Sequence, residues 1–213
     1  MERRVRVKIC GVTNRADAEA AIELGADALG FNLFAGSKRL INVSEARDWI
    51  RKLPPYVMRI AVMVNPALAE VVEAQATFDS LQLHGHEEAQ FCAELAKVTG
   101  RSFVKAVAVR DATSLENAER FGTPHILLDA FSPAAFGGTG QRIDLDLASR
   151  FTAEHRHLHV TLSGGLTPEN VGDAVRRVRP YAVDVASGVE ISSSSRKKDF
   201  EKMRAFISAV REA

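Results

Sequence analysis

The sequence predicts one α/β domain over residues 1–213, a (β/α)8 barrel with its active site at the C-terminal ends of the strands. Three observations carry that reading. Short apolar, β-branched runs alternate with amphipathic helical stretches about eight times along 213 residues. The strand runs are apolar nearly throughout, as strands are when helices cover one face and a core fills the other. No linker or low-complexity segment divides the chain, and its length suits a compact closed barrel better than two domains.

The units follow in order. "VRVKI" leads to a helix from Arg15 to Leu24, closed by Gly25. "ALGFN" leads through a longer loop to a helix over Glu45–Leu53, with Ser44 as expected N-cap. "RIAVMV" passes through Asn65 and Pro66 into Leu68–Ala76, and "SLQLHG" into Glu88–Lys97 with Gly100 beyond it. "FVKAVAV" is expected to lead to a helix over Leu115–Phe121, and "HILLDA", through a long glycine-rich loop, to Leu145–Phe151. "HVTLS" leads to Pro168–Val178, with Thr167 as cap and Pro168 at the first helical position. "AVDVAS" runs through serines to Phe200–Val210.

Composition narrows the function classes. The chain is 46% hydrophobic and 26% charged, ordinary for a globular fold. A formal net charge of +1 gives no field that would draw nucleic acid or an acidic membrane. The basic clusters "RKK" and "RRVR" read as solvated faces. No stretch approaches the ~20 apolar residues of a membrane span, and the N-terminal apolar run is too short for a secretory signal. Two cysteines make no disulfide framework and have no metal-site spacing, so a cytoplasmic protein with Cys10 as a free thiol is expected.

In such barrels the chemistry lies at the strand tips and in the loops after them. Cys10, Asn32, His84, Asp129, Ser163 and Ser187 occupy those tips. Cys10 is followed by a glycine that leaves room for a ligand, and its thiol could act as nucleophile or base; Cys92, amid helical apolar spacing, reads as core. Asp129 ends a strongly apolar strand, where a carboxylate is costly unless paired or used. His84, with Gln82 on the same face, reads as a substrate contact. Arg39 could pair with a carboxylate or stack on a ring, and spacing does not separate it from Lys38. His155, His157 and His159 precede the seventh strand and therefore belong to the opposite mouth. Gly164 and Gly165 in "LSGGLTPENV", and Ser187 and Gly188 in "DVASGVE", form two corners where backbone N–H groups could hold a phosphate.

"KICGVT", "LQLHG", "LLDA" with "GGTG", "SGGLTPENV" and "DVASGVE" follow one another along nearly the whole chain. In that combination they resemble the phosphoribosylanthranilate isomerase family of tryptophan biosynthesis. The resemblance implies a cofactor-free isomerase of the intramolecular oxidoreductase type, acting on a small phosphosugar as a monomer or homodimer. The reaction would be the Amadori rearrangement of N-(5'-phosphoribosyl)anthranilate to 1-(2-carboxyphenylamino)-1-deoxyribulose 5-phosphate. It implies Asp129 as general acid, Cys10 as general base, Arg39 on the anthranilate group, and Gly164, Gly165, Ser187 and Gly188 on the phosphate. Two rivals remain. A histidine-pathway isomerase would want aspartates on strands one and five, and a non-catalytic phospho-ligand binder would need neither Cys10 nor Asp129.

Overall fold

The structure, a computed structural model, describes residues 4–116, 118–131 and 142–213. Eight parallel strands close into a barrel in sequence order. They are β1 (Arg6–Cys10), β2 (Ala28–Asn32), β3 (Met58–Met63), β4 (Ser80–Leu83), β5 (Val104–Val109), β6 (His125–Ala130), β7 (His159–Leu162) and β8 (Ala182–Val185). The ring is sealed where β1 pairs with β8, from Arg6 opposite Ala182 to Ile9 opposite Val185. Helices α1 (Arg15–Glu23), α2 (Val43–Arg51), α3 (Leu68–Ala74), α4 (Ala89–Thr99), α5 (Leu145–Glu154), α6 (Val171–Val178) and α7 (Phe200–Arg211) wrap the outside.

Alternation along the strands sorts the side chains. Ile9, Leu29, Phe31, Leu83, Ile126, Leu128, Leu162 and Val183 are fully buried in the layer between strands and helices. Fully burying one such side chain contributes about 1.5–3 kcal/mol. Their neighbours Lys8, Cys10, Gln82, Asp129 and Asp184 are also buried but turn to the barrel interior, so its upper end is polar.

Local chemistry moves several elements from where the sequence puts them. The N-cap of α2 is Asn42, whose side chain accepts from the Ser44 amide; Ser44 lies inside the helix, not at its cap. Among the described residues, no α-helix lies between β5 and β6. Two 3-10 turns, Ala112–Ser114 and Ala118–Phe121, fill that place, the first capped by Asp111. The second of these turns ends at Gly122, which lies in the left-handed region. α6 starts at Val171; Pro168–Asn170 form a turn in which the Thr167 carbonyl already receives the amides of Asn170 and Val171. The serine run after β8 contributes to a hairpin, β9 (Glu190–Ile191) with β10 (Ser194–Lys198), preceded by a 3-10 turn over Ser187–Val189. Among the described residues no helix is long and apolar enough to cross a membrane.

Candidate active site

Two sets of polar groups face each other across the C-terminal mouth. On the β4–β6 side, the Asp129 carboxylate accepts the Ala130 amide at 2.9 Å through Oδ1. Its Oδ2 lies 3.1 Å from His84 Nε2, and the other ring nitrogen, Nδ1, lies 2.8 Å from Gln82 Nε2. The imidazole thus bridges the Gln82 amide and the Asp129 carboxylate through its two ring nitrogens. Strand, loop and strand thus place a carboxylate, an imidazole and an amide in one line. Gln82 is only 1% exposed and its Oε1 has no partner, so the amide is held by this line alone.

On the β1–β8 side, Cys10 is 7% exposed and Lys8 stands two residues before it on the same face. The Lys8 ammonium donates to Asp184 at 2.8 Å, and both side chains are nearly inaccessible. Ammonium and Cys10 thiolate also favour each other electrostatically. Gly30 on β2 leaves the gap these groups fill: a Cβ there would sit 2.7 Å from the sulfur and 3.1 Å from Lys8 Nζ. Burial, then Asp184, push the Cys10 thiol up; Lys8 and Lys198 pull the other way. Burial pulls Lys8 down, but Asp184 and Cys10 outweigh it and leave the ammonium raised above its ordinary value.

Arg39 lies across Gly11, its stem occupying the space a side chain would take. Its guanidinium grips Glu190 with two bonds, 2.6 and 2.9 Å. Lys198, from β10, reaches the same carboxylate at 3.1 Å and the Ala186 carbonyl at 3.0 Å. Lys38 takes no part in this grip. Lys8, Asp184 and Glu190 were not singled out from the sequence, and Lys198, read there as part of the solvated "RKK" face, is buried. The available signal was a charged residue at an interior position of an apolar strand, as with Lys8 two before Cys10 and Asp184 within "AVDV".

The corner between these walls is built from the loops after β7 and β8. Gly164 and Gly165 both have positive φ, 89° and 65°. A Cβ on Gly164 would meet the Ala130 amide nitrogen at 2.6 Å, so this loop rests against the tip of β6. Gly188, beside Ser187, is pressed equally hard against the Leu166 carbonyl, and the two loops therefore touch. The "GGTG" run after Asp129 lies in 132–141, outside the described residues. Cys92 is fully buried in α4. His155 and His157 sit at the far mouth, where His157 Nε2 meets Glu119 at 2.9 Å. Among the described residues no group of three or more His, Cys, Asp or Glu could hold a metal.

Comparison with known proteins identifies the family to which this barrel is similar. The family model described as N-(5'phosphoribosyl)anthranilate (PRA) isomerase matches residues 7–209. N-(5'-phosphoribosyl)anthranilate isomerase of Pelobacter propionicus is 43% identical over 98% of this chain and 96% of its own; that of Geobacter metallireducens is 44% identical over 95% and 97%. The solved Thermotoga maritima phosphoribosyl anthranilate isomerase superposes with a TM-score of 0.87 at 38% identity, covering 98% of this chain and all of that one. Another solved isomerase, in complex with reduced 1-(o-carboxyphenylamino)-1-deoxyribulose 5-phosphate, has a TM-score of 0.83 at 37% identity over the same shares. With a family match across nearly its full length and relatives this similar, the chain belongs to the N-(5'-phosphoribosyl)anthranilate isomerase family.

Proposed function

We propose that the protein catalyses the Amadori rearrangement of N-(5'-phosphoribosyl)anthranilate in tryptophan biosynthesis, with Asp129 as general acid and Cys10 as general base. The observation that carries this reading is the ring order. β7 and β8, with their paired glycine corners, stand between β6, which ends in Asp129, and β1, which ends in Cys10. A phosphate held by Gly164, Gly165, Ser187 and Gly188 would lay the ribose between acid and base.

Asp129 gives a proton to the furanose ring oxygen, the bond from that oxygen to C1' breaks, and the anthranilate nitrogen closes a C1'=N iminium. Cys10 then takes the C2' proton, and the electron pair left behind forms the C1'=C2' bond of an enolamine. Protonation at C1' and loss of the 2'-hydroxyl proton give the ketone, so C1' is reduced as C2' is oxidised within one molecule. Two separate groups are needed because one must arrive protonated and the other ionised. The cationic iminium favours the thiolate over the neutral thiol in the step that needs it. Arg39 on the anthranilate group, with His84 and Gln82 as substrate contacts, completes the assignment. The chain is proposed to act as one domain, as a monomer or homodimer, in the cytoplasm; both cysteines are free thiols, which suits a reducing compartment.

The test is turnover of phosphoribosylanthranilate generated in situ, followed by loss of its fluorescence. Cys10→Ser and Asp129→Asn should each lower kcat by about 10^3 or more while far-UV circular dichroism is unchanged. Full activity in either variant would remove that residue from its role, and an inactive wild type would refute the reading.

A further inference from the structure

The charges around Cys10 do not balance. Three buried or nearly buried cations, Lys8, Arg39 and Lys198, face two buried carboxylates, Asp184 and Glu190. Arg39 and Lys198 share Glu190, while Lys8 is matched to Asp184 alone. Two further charged groups border the cluster from the helices. Asp17 of α1 receives the Lys198 backbone amide, and Lys202 of α7 donates to the Glu190 carbonyl. Both are part-exposed, of opposite sign, and screened by solvent. The buried cluster is thus one negative charge short. Leaving a buried charge uncompensated costs several kcal/mol, so such a deficit calls for an anion or for a lost proton. The thiol of Cys10 is the group in the cluster able to supply that anion.

We propose that Lys198 is a positioning residue for Cys10: its buried ammonium is the extra positive charge that lets the thiol ionise beside Lys8. The Lys198 side chain has no solvent exposure. It reaches the site from β10, at the end of the hairpin, with its Nζ fixed by Glu190 and Ala186. Neutral Cys10 with neutral Lys198 and thiolate with ammonium contain the same number of protons, so one proton can pass between them without changing the cluster's net charge. Burial pulls Lys198 below the ordinary lysine value, while Glu190 and Cys10 draw it back up, the balance expected of a lysine coupled to a nearby thiol. This rests on Cys10 being the base, but it concerns the ionisation of the thiol, which is measurable without turnover.

The experiment is a pH titration of the Cys10 thiolate by its ultraviolet absorbance, taken as a difference against Cys10→Ser, alongside the pH profile of kcat/KM. In Lys198→Met the thiolate fraction at neutral pH should fall by about tenfold or more, and the acid limb of kcat/KM should move to higher pH with it. Lys198→Arg, which keeps the charge, should restore both. Glu190→Gln, which removes an anion from the same cluster, should shift the thiol midpoint the opposite way, a reversal that a purely structural role would not produce. An unchanged midpoint in folded Lys198→Met overturns the inference whatever happens to activity. Should Lys198→Met not fold, an unchanged or raised midpoint in Glu190→Gln overturns it. A midpoint that moves while the rate profile stays fixed upholds the coupling and sinks Cys10 as the base instead.

Discussion

The two walls of the barrel mouth hold their reactive groups by different physics. On the β4–β6 wall, Asp129, His84 and Gln82 form a line of short hydrogen bonds, with no lysine or arginine bonded to any of the three among the described contacts. On the β1–β8 wall, Cys10 sits among Lys8, Asp184, Arg39, Glu190 and Lys198, which are joined by buried ion pairs. A proton donor needs a defined direction and no strong nearby cation that would strip its proton early. A thiol base needs the reverse, positive charge close by to offset its burial. The contrast teaches that the two roles can be told apart by the neighbours of each group as well as by its residue type.

The largest effect that would break this contrast is on stability. Lys8→Met removes the partner of Asp184 and leaves a buried carboxylate unpaired, at a cost of about 3–5 kcal/mol. Denaturant unfolding followed by circular dichroism should register it, and Lys8→Met with Asp184→Asn should recover much of the loss. If the single variant is as stable as wild type, the β1–β8 wall is not held by charge. A smaller effect is expected opposite. His84→Leu removes one hydrogen bond to Asp129 together with the proposed substrate contact and should lower kcat/KM by about tenfold, KM rising. A fall in kcat at constant KM would instead make His84 a partner of Asp129 alone. The smallest effect lies away from both walls, where His125 and His159 stack with ring centroids 4.9 Å apart. Burial, then His159, hold His125 below its ordinary value. The unfolded chain therefore takes up that proton first, and stability is lost as pH falls below about 6.5 towards the depressed folded value. His125→Phe should flatten that slope in thermal melts between mildly acidic and neutral pH without changing kcat, giving a baseline against which the pH responses of the mouth can be read.

The strands and most helices could be read from the sequence because their signals are local: apolar runs, and glycines at Gly25 and Gly100. The segment after β5 differs from the helix expected on the composition of "LENAERF", because the chain there closes as two separate 3-10 turns, the first capped by Asp111 and the second ended at Gly122. At the mouth, Cys10, Asp129, His84 and Gln82 were visible as polar residues at or next to strand ends. The charged frame around Cys10 was not, since Lys8 and Asp184 are 176 residues apart and Arg39 and Glu190 are 151 apart. Pairings across such distances leave no periodic trace; closure of the ring creates them. The hairpin that delivers Lys198 was hidden in the same way, because its serines resemble a loop until β9 supplies a partner.

That hairpin also stitches the last part of the chain to the first. The Arg196 guanidinium donates to the carbonyls of Lys38 and Leu40, its own carbonyl receives the Thr13 hydroxyl, and the Lys198 amide reaches Asp17. A ribosome synthesises Cys10 long before Lys198. Through most of that interval the thiol lacks part of the frame that tunes it, and β1 has an open edge where β8 will dock. Ring closure at β8 therefore precedes the last tuning group, and a polypeptide cut short before the hairpin would carry all eight strands of the barrel with Lys8, Arg39 and Asp184 but neither Glu190 nor Lys198.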